Sequence, residues 1–171
     1  TVRDNIIVDN STYGIYSTSY RTVQNNLLWR HTTNTYSVSN QNGVVYNPLF
    51  VSKTNLRITS LSPARKAASD GSDLGALPYV ADVTPTLQGK LVDPMTLGAG
   101  THQIAGDLII AAGTTLTLSP GARLQFAQTD GMEGGTNSSE AELVVEGTLN
   151  ATGTAAQGIV FEGASNGTWY G

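Results

Sequence analysis

The sequence predicts an all-β chain whose short strands stack in parallel coils, a parallel β-helix or β-solenoid. Three observations predict it. The stretch Thr1-Val-Arg-Asp-Asn-Ile-Ile-Val8 returns 21 residues later as Thr22-Val-Gln-Asn-Asn-Leu-Leu-Trp29, with Thr, Val and Asn repeated and the last three positions apolar in both. A second pattern occurs twice further on: an acidic residue, an aliphatic triplet, a glycine, an alternating strand and an aliphatic strand ending in Phe. Charged residues are only 13% of the chain, so its polar surface is Ser, Thr, Asn, Gln and Gly. Those residues favour turns and stacked strands over helices.

A repeat of about 21 residues with short strands suits one coil of a parallel β-helix. Successive coils stack at about 4.8 Å, so equivalent side chains lie over one another. Val2 is expected to cover Val23, and Ile6 or Ile7 to cover Leu27 or Leu28; Val2, Ile7, Val23 and Leu28 are expected to be buried. Asn5 should stack on Asn26 in a ladder of side-chain amides at a corner. Such amides more often complete structure than bind ligand. Between the two copies, Asn10-Ser-Thr-Tyr-Gly-Ile-Tyr16 reads as a turn and a short alternating strand.

The strict repeat is lost over residues 36–79. Here stand Asn47-Pro-Leu-Phe-Val51, Leu56-Arg-Ile58, Ser62-Pro-Ala64 and Asp73-Leu-Gly-Ala76. Together they resemble the closing segment of bacterial right-handed parallel β-helix repeat proteins of the pectate-lyase-like superfamily. Arg65-Lys66 departs from that pattern. The resemblance implies a right-handed β-helix ending near Tyr79.

Residues 80–95 hold two prolines and no clear period, and read as a linker or crossing strand. The second pattern follows as Asp107-Leu-Ile-Ile-Ala-Ala-Gly113 with Thr114 to Phe126, and as Glu142-Leu-Val-Val-Glu-Gly147 with Thr148 to Phe161. Gly113 aligns with Gly147, and Phe126 with Phe161. With Trp169-Tyr-Gly171, this half resembles the opening coils of the same β-helix class. The expected order is therefore the end of one solenoid (1–79), a linker (80–95) and the start of another (96–171), as in a segment of a larger surface or fibre protein.

The net charge of −4, with nine Lys plus Arg scattered along the chain, argues against a nucleic-acid partner. Cysteine is absent, so neither a disulfide nor a thiolate metal site is expected. No apolar run reaches 18 residues, so insertion into a membrane by a helix is not expected.

Candidate chemistry is sparse. Gly163-Ala-Ser-Asn-Gly167 has the form of a nucleophile elbow, which needs a following helix and a later His; His31 and His102 both precede it. Pectate-lyase-like enzymes hold Ca²⁺ with carboxylates on a flank, and Asp4, Asp9, Asp70 and Asp73 are candidates for such a site, but they form no evident cluster. Asp130-Gly-Met-Glu133 with Glu140 offers oxygen ligands for Ca²⁺ but lacks the spacing of a known loop, and reads as a solvated loop. No cofactor is expected. Tyr13, Tyr16, Tyr20 and Tyr36 would suit carbohydrate if they form an exposed row.

The expected function is structural or adhesive, not enzymatic: a β-solenoid segment of an extracellular or cell-surface fibre-like protein. Its partner would be itself, through head-to-tail stacking at edges marked by Val2, Trp169 and Tyr170. The alternative is part of a polysaccharide lyase, hydrolase or carbohydrate-binding β-helix.

Overall fold

The computed structural model describes residues 1–19, 21–81 and 85–170. Within these the chain is all-β, with one 3₁₀ turn at Ala164–Asn166. It divides into two compact units, Thr1–Asp82 and Val83–Gly171. The strands form several small separate sheets, nearly all of them parallel.

In unit 1 the first repeat supplies β1 (Val2–Arg3), β2 (Ile6–Val8) and β3 (Tyr13–Tyr16). The second supplies β4 (Val23–Gln24), β5 (Leu27–Trp29) and β6 (Thr33–Tyr36). Each strand pairs in parallel with its counterpart. Val2 meets Val23, Ile6 meets Leu27 and Ile7 meets Leu28. The corners repeat as well. Asp4 and Asn25 turn at φ 64 and 51, Asp9 and Arg30 at φ 57 and 59. Left-handed φ is unfavourable for most side chains, but Asp and Asn tolerate it well. The chain therefore changes direction at the same two places in each repeat.

β2 and β5 are apolar on both faces, and two cores result. Ile7 and Leu28 join Val2, Ile15, Val23 and Val38 in one. Leu27, flanked by Ile6, Val8 and Trp29, joins Ile58, Ala64, Ala68 and Leu74 in the other. Val23 and Leu28 are buried as expected, whereas Val2 and Ile7 are half-buried, being on strands with a neighbour on one side only among the described residues.

The chain continues through β7 (Asn40–Gln41), β8 (Phe50–Ser52) and β9 (Asn55–Ile58). β8 and β9 pair antiparallel, against the expectation of parallel strands throughout; a two-residue connection allows only a hairpin. Residues 60–76 then run without strand structure and lay Ala64, Ala68 and Leu74 onto the second core. Asp4 fastens this segment: its carboxylate accepts from Ser69 N (2.7 Å) and Oγ (2.8 Å), and its carbonyl from Gly75 N (3.3 Å). Arg65 is buried, donates to Ser60 O (3.1 Å) and lies 3.9 Å over the Tyr79 ring.

Unit 2 begins inside the stretch read as a linker or crossing strand. β10 (Leu87–Leu91) buries Leu87, Gly89 and Leu91 in strict alternation, so residues 87–91 are a core strand. Pro85 and Pro94 bracket it, as prolines do at strand ends. The chain then forms β11 (Met95–Leu97), β12 (Gly100–Ile110), β13 (Thr115–Leu118) and β14 (Ala122–Phe126). It ends with β15 (Leu143–Val145), β16 (Thr148–Ala151) and β17 (Val160–Gly163). One sheet runs β10-β12-β14-β17 with β15 beside β12, and a second runs β11-β13-β16. The aliphatic triplets meet as aligned, Leu108 with Leu143 through Ile110 with Val145. The aromatic ends do not: Phe161 pairs with Leu124, and Phe126 faces Gly163. Gly163 leaves the Phe126 ring uncovered by a side chain, and Trp169 stacks on it at 4.2 Å.

Candidate functional site

Three clusters carry the polar and aromatic groups that sequence reasoning raised. The first is an asparagine ladder. Asn5 Nδ2 donates to Asn26 Oδ1 (3.0 Å), and Asn26 Nδ2 donates to Asn40 Oδ1 (3.1 Å). Asn26 Nδ2 also donates to the carbonyls of Val2 and Gln24. Asn26 is fully buried and Asn5 is exposed, so the two rungs are not equivalent. Asn40 is a third rung that the 21-residue repeat could not find, because the chain shortens before it. Every amide in the ladder is spent on the protein itself.

The second cluster is a tyrosine stack. Tyr16 and Tyr36 pair across β3 and β6, with ring centres 5.1 Å apart and planes 10° apart. Tyr13 leans on both. Tyr16 and Tyr36 are exposed and Tyr13 is half-buried; Tyr20 lies outside the described residues. Beside them, His31 is bound between repeats. It accepts from Asn10 N at Nδ1 (3.2 Å) and reaches Ile7 O with Nε2 (3.0 Å), which fits the Nε2–H tautomer.

The third cluster lies at the loop Asp130-Gly-Met-Glu133 with Glu140, which reads as solvated: Glu133 is exposed and Glu140 half-buried, but Asp130 is not. Asp130 and Glu142 are buried, as is Asp107 on β12. Asp130 Oδ1 accepts from Asp107 N (3.1 Å) and Met132 N (2.8 Å), and Oδ2 from Gly134 N (2.9 Å). Glu142 accepts from Thr136 N (2.9 Å) and Asn137 N (3.0 Å). The connection 127–142 is thus wound around two carboxylates. Asp107 stands between them. Burial first, then the charge of Asp130, raises its pKa to about 7, with Glu142 adding to the rise. A signal for this cluster was present: Asp107 and Glu142 open the two aligned triplets, so stacking the repeats brings two acidic residues together.

The remaining candidates do not converge. Ser165 sits at φ 53, ψ 36 in the single 3₁₀ turn, and His102 is engaged with Gly98 O (2.8 Å). Asp4 holds Ser69, Asp73 accepts from Lys66 N (3.0 Å) and Asp70 from Ser72 N (2.9 Å). Of the expected assembly edges, Val2 lies on β1, whose single strand partner among the described residues is β4. Trp169 is instead half-buried against Phe126. Tyr170 is exposed but bridges to Glu142, and Gly171 lies outside the described residues. Among the described residues no group of three or more His, Asp or Glu can hold a metal ion, and no helix is long and apolar enough to cross a membrane. In comparisons with protein-family models, curated proteins and solved structures, none matches the chain.

Proposed function

We propose that the chain is a structural β-solenoid segment, the end of one right-handed parallel β-helix followed by the start of another, within a larger extracellular or cell-surface fibre-like protein. It acts as a scaffold or adhesin shaft, not as an enzyme, and its partner is more of itself. One observation carries the reading. Strands pair in parallel with strands one repeat away, and the outermost strands keep a free edge. β1, β2 and β3 in unit 1, and β10, β11, β16 and β17 in unit 2, each pair with one strand only among the described residues. A free parallel edge is a row of unpaired N–H and C=O groups that templates another strand. In unit 1 the first repeat also borders an apolar groove of about 470 Å³, between Asp4, Asn5 and Ile6 on one side and Phe50, Leu56 and residues 74–77 on the other. A further coil, from the same chain or from a second copy, would pair the edge and extend the apolar stack. Contact of that kind is heterologous and propagates rather than closes.

The test is light scattering and electron microscopy on the chain and on the double variant Val2→Lys, Leu149→Lys, with circular dichroism to confirm that the variant keeps its strands. Growth into rods that the variant blocks supports the proposal. A parent chain that stays monomeric at high concentration refutes it.

A second reading rests on the exposed tyrosine stack, which suits binding of a neutral polysaccharide along the solenoid flank. Strands β3 and β6, Tyr-Gly-Ile-Tyr and Thr-Asn-Thr-Tyr, carry no charge. Retardation in gels containing neutral glucan or xylan, abolished by Tyr16→Ala with Tyr36→Ala, would support it; unchanged mobility would remove it. Release of unsaturated product from polygalacturonate with Ca²⁺ would instead make the chain part of a lyase.

A further inference from the structure

We propose that the connection 127–142 is a proton-controlled latch: it stays folded on the flank of unit 2 while Asp107 holds a proton, and opens when that proton is lost. The geometry at Asp107 carries this. Its side chain is fully buried. Oδ1 accepts from Glu142 N (2.8 Å), while Oδ2 has no hydrogen-bond partner. Four backbone donors of the connection are already committed. The N–H groups of Met132 and Gly134 serve Asp130, and those of Thr136 and Asn137 serve Glu142. An ionised Oδ2 would be a buried charge with no donor, beside two other acidic groups.

A protonated Oδ2 supplies its own donor. Glu142 Oε2 lies on the same side, because both oxygens crowd Gly135. A Cβ added there would come within 2.7 Å of Asp107 Oδ2 and would overlap Glu142 Oε2. Both oxygens thus border the same spot beside Gly135. A proton on Asp107 Oδ2 removes one of the negative charges that would otherwise push the strand and the end of the connection apart.

Among the described residues no positive charge acts on Asp107 to replace the proton. The charged groups acting on it are Asp130 and Glu142, both from the connection. On the adjacent strand β10 the nearest residues by register are Gln88 and Gly89, and Lys90 is matched with Ile109. Glu140 is turned to Asn137 Nδ2 (2.7 Å) and Thr168 Oγ1 (2.9 Å). A bound cation fits poorly, since the oxygens of Asp130 and Glu142 already accept backbone N–H groups that a cation would have to displace.

Opening has a defined cost and a defined product. The connection buries Met132 and Ala141 completely, and releasing it uncovers both. The direction with pH follows from linkage. Asp107 binds its proton more tightly when the latch is closed, with its pKa raised from 3.8 to about 7. Closure is therefore most favourable below the open-state value. It weakens about tenfold per pH unit as pH rises through the window between the two values, and levels off above about 7.

The experiment is amide hydrogen exchange on the full chain at Met132, Gly134, Thr136 and Asn137, from pH 4.5 to 8.5, corrected for intrinsic rates. The opening constant of these amides should rise about tenfold per unit to about pH 7 and then flatten. Asp107→Asn keeps a donor at the position of Oδ2 and cannot titrate. Its opening constant should be flat, and at pH 8 at least tenfold below that of the parent. A flat profile in the parent, or a variant that follows the parent, overturns the proposal. If the variant does not fold, the ¹³C shift of the Asp107 carboxyl in the parent decides: a midpoint near 7 sustains the latch, and one below 5 overturns it.

Discussion

Asn26 and Gly135 show how single residues close this structure. Asn26 is fully buried and hydrogen-bonded to Asn5, Asn40 and two carbonyls. Asn26→Leu removes partners from both neighbours at once, and chemical denaturation should show a loss of about 1–3 kcal/mol. Asn5 is exposed, so water can replace its bonds, and Asn5→Leu should cost a fraction of that. Equal losses would mean that the ladder is not centred on Asn26. Gly135 has φ 68 and no room for a side chain beside Asp107 and Glu142. Gly135→Ala should therefore destabilise the connection 127–142 by about 1–3 kcal/mol through strain and displacement of Glu142. The expected readout is faster amide exchange at Thr136 and Asn137, the two donors to Glu142.

Among the elements, the segment 60–76 shows what pattern reading captures and what it leaves out. Its motifs resemble a closing segment, but nothing in the letters tells that Ala64, Ala68 and Leu74 cover the second face of β2 and β5. The clue lay in the strands: Ile-Ile-Val and Leu-Leu-Trp are apolar without alternation, and a strand apolar on both faces must be covered on both. Leu74 is 1% exposed in this packing. Leu74→Ala should cost about 2–5 kcal/mol and raise proteolysis within residues 60–76, because Leu74 is the largest side chain that the segment lays on the second core. The 21-residue register of the first two repeats was legible because it needs only two similar stretches. The pairing of Phe161 was not. The aligned phenylalanines suggest one offset, while the sheet shifts by two residues from it and gives Phe126 a Gly partner and a Trp cover. The acid cluster was missed because Asp107 and Glu142 were read as markers of a repeat, and a marker that stacks on itself becomes a pair of like charges.

At the scale of the whole molecule, composition set the class. Few charges and abundant Ser, Thr, Asn and Gly left little besides strands and turns, and far-UV circular dichroism should show a strand minimum with no helical signature. The boundary between the units was harder to place. Residues 80–95, with two prolines, read as a linker or a crossing strand, and the alternation at Leu87, Gly89 and Leu91 is that of a core strand. Pro85 and Pro94 delimit it, and breakers can frame an element as readily as they separate domains.

The stacking of Trp169 on Phe126 has a spectroscopic consequence. The chain has two tryptophans, and they fall one to each unit: Trp29 beside the second core of unit 1, with Arg30 4.3 Å over its ring, and Trp169 against Phe126 in unit 2. Each half of the protein thus contains its own fluorophore in a distinct environment. Trp29→Phe makes emission a report on Val83–Gly171 alone, and Trp169→Phe makes it a report on Thr1–Asp82 alone. Denaturant titrations of the two variants, read by emission wavelength, should give two midpoints if the halves melt separately and one shared midpoint if they melt together.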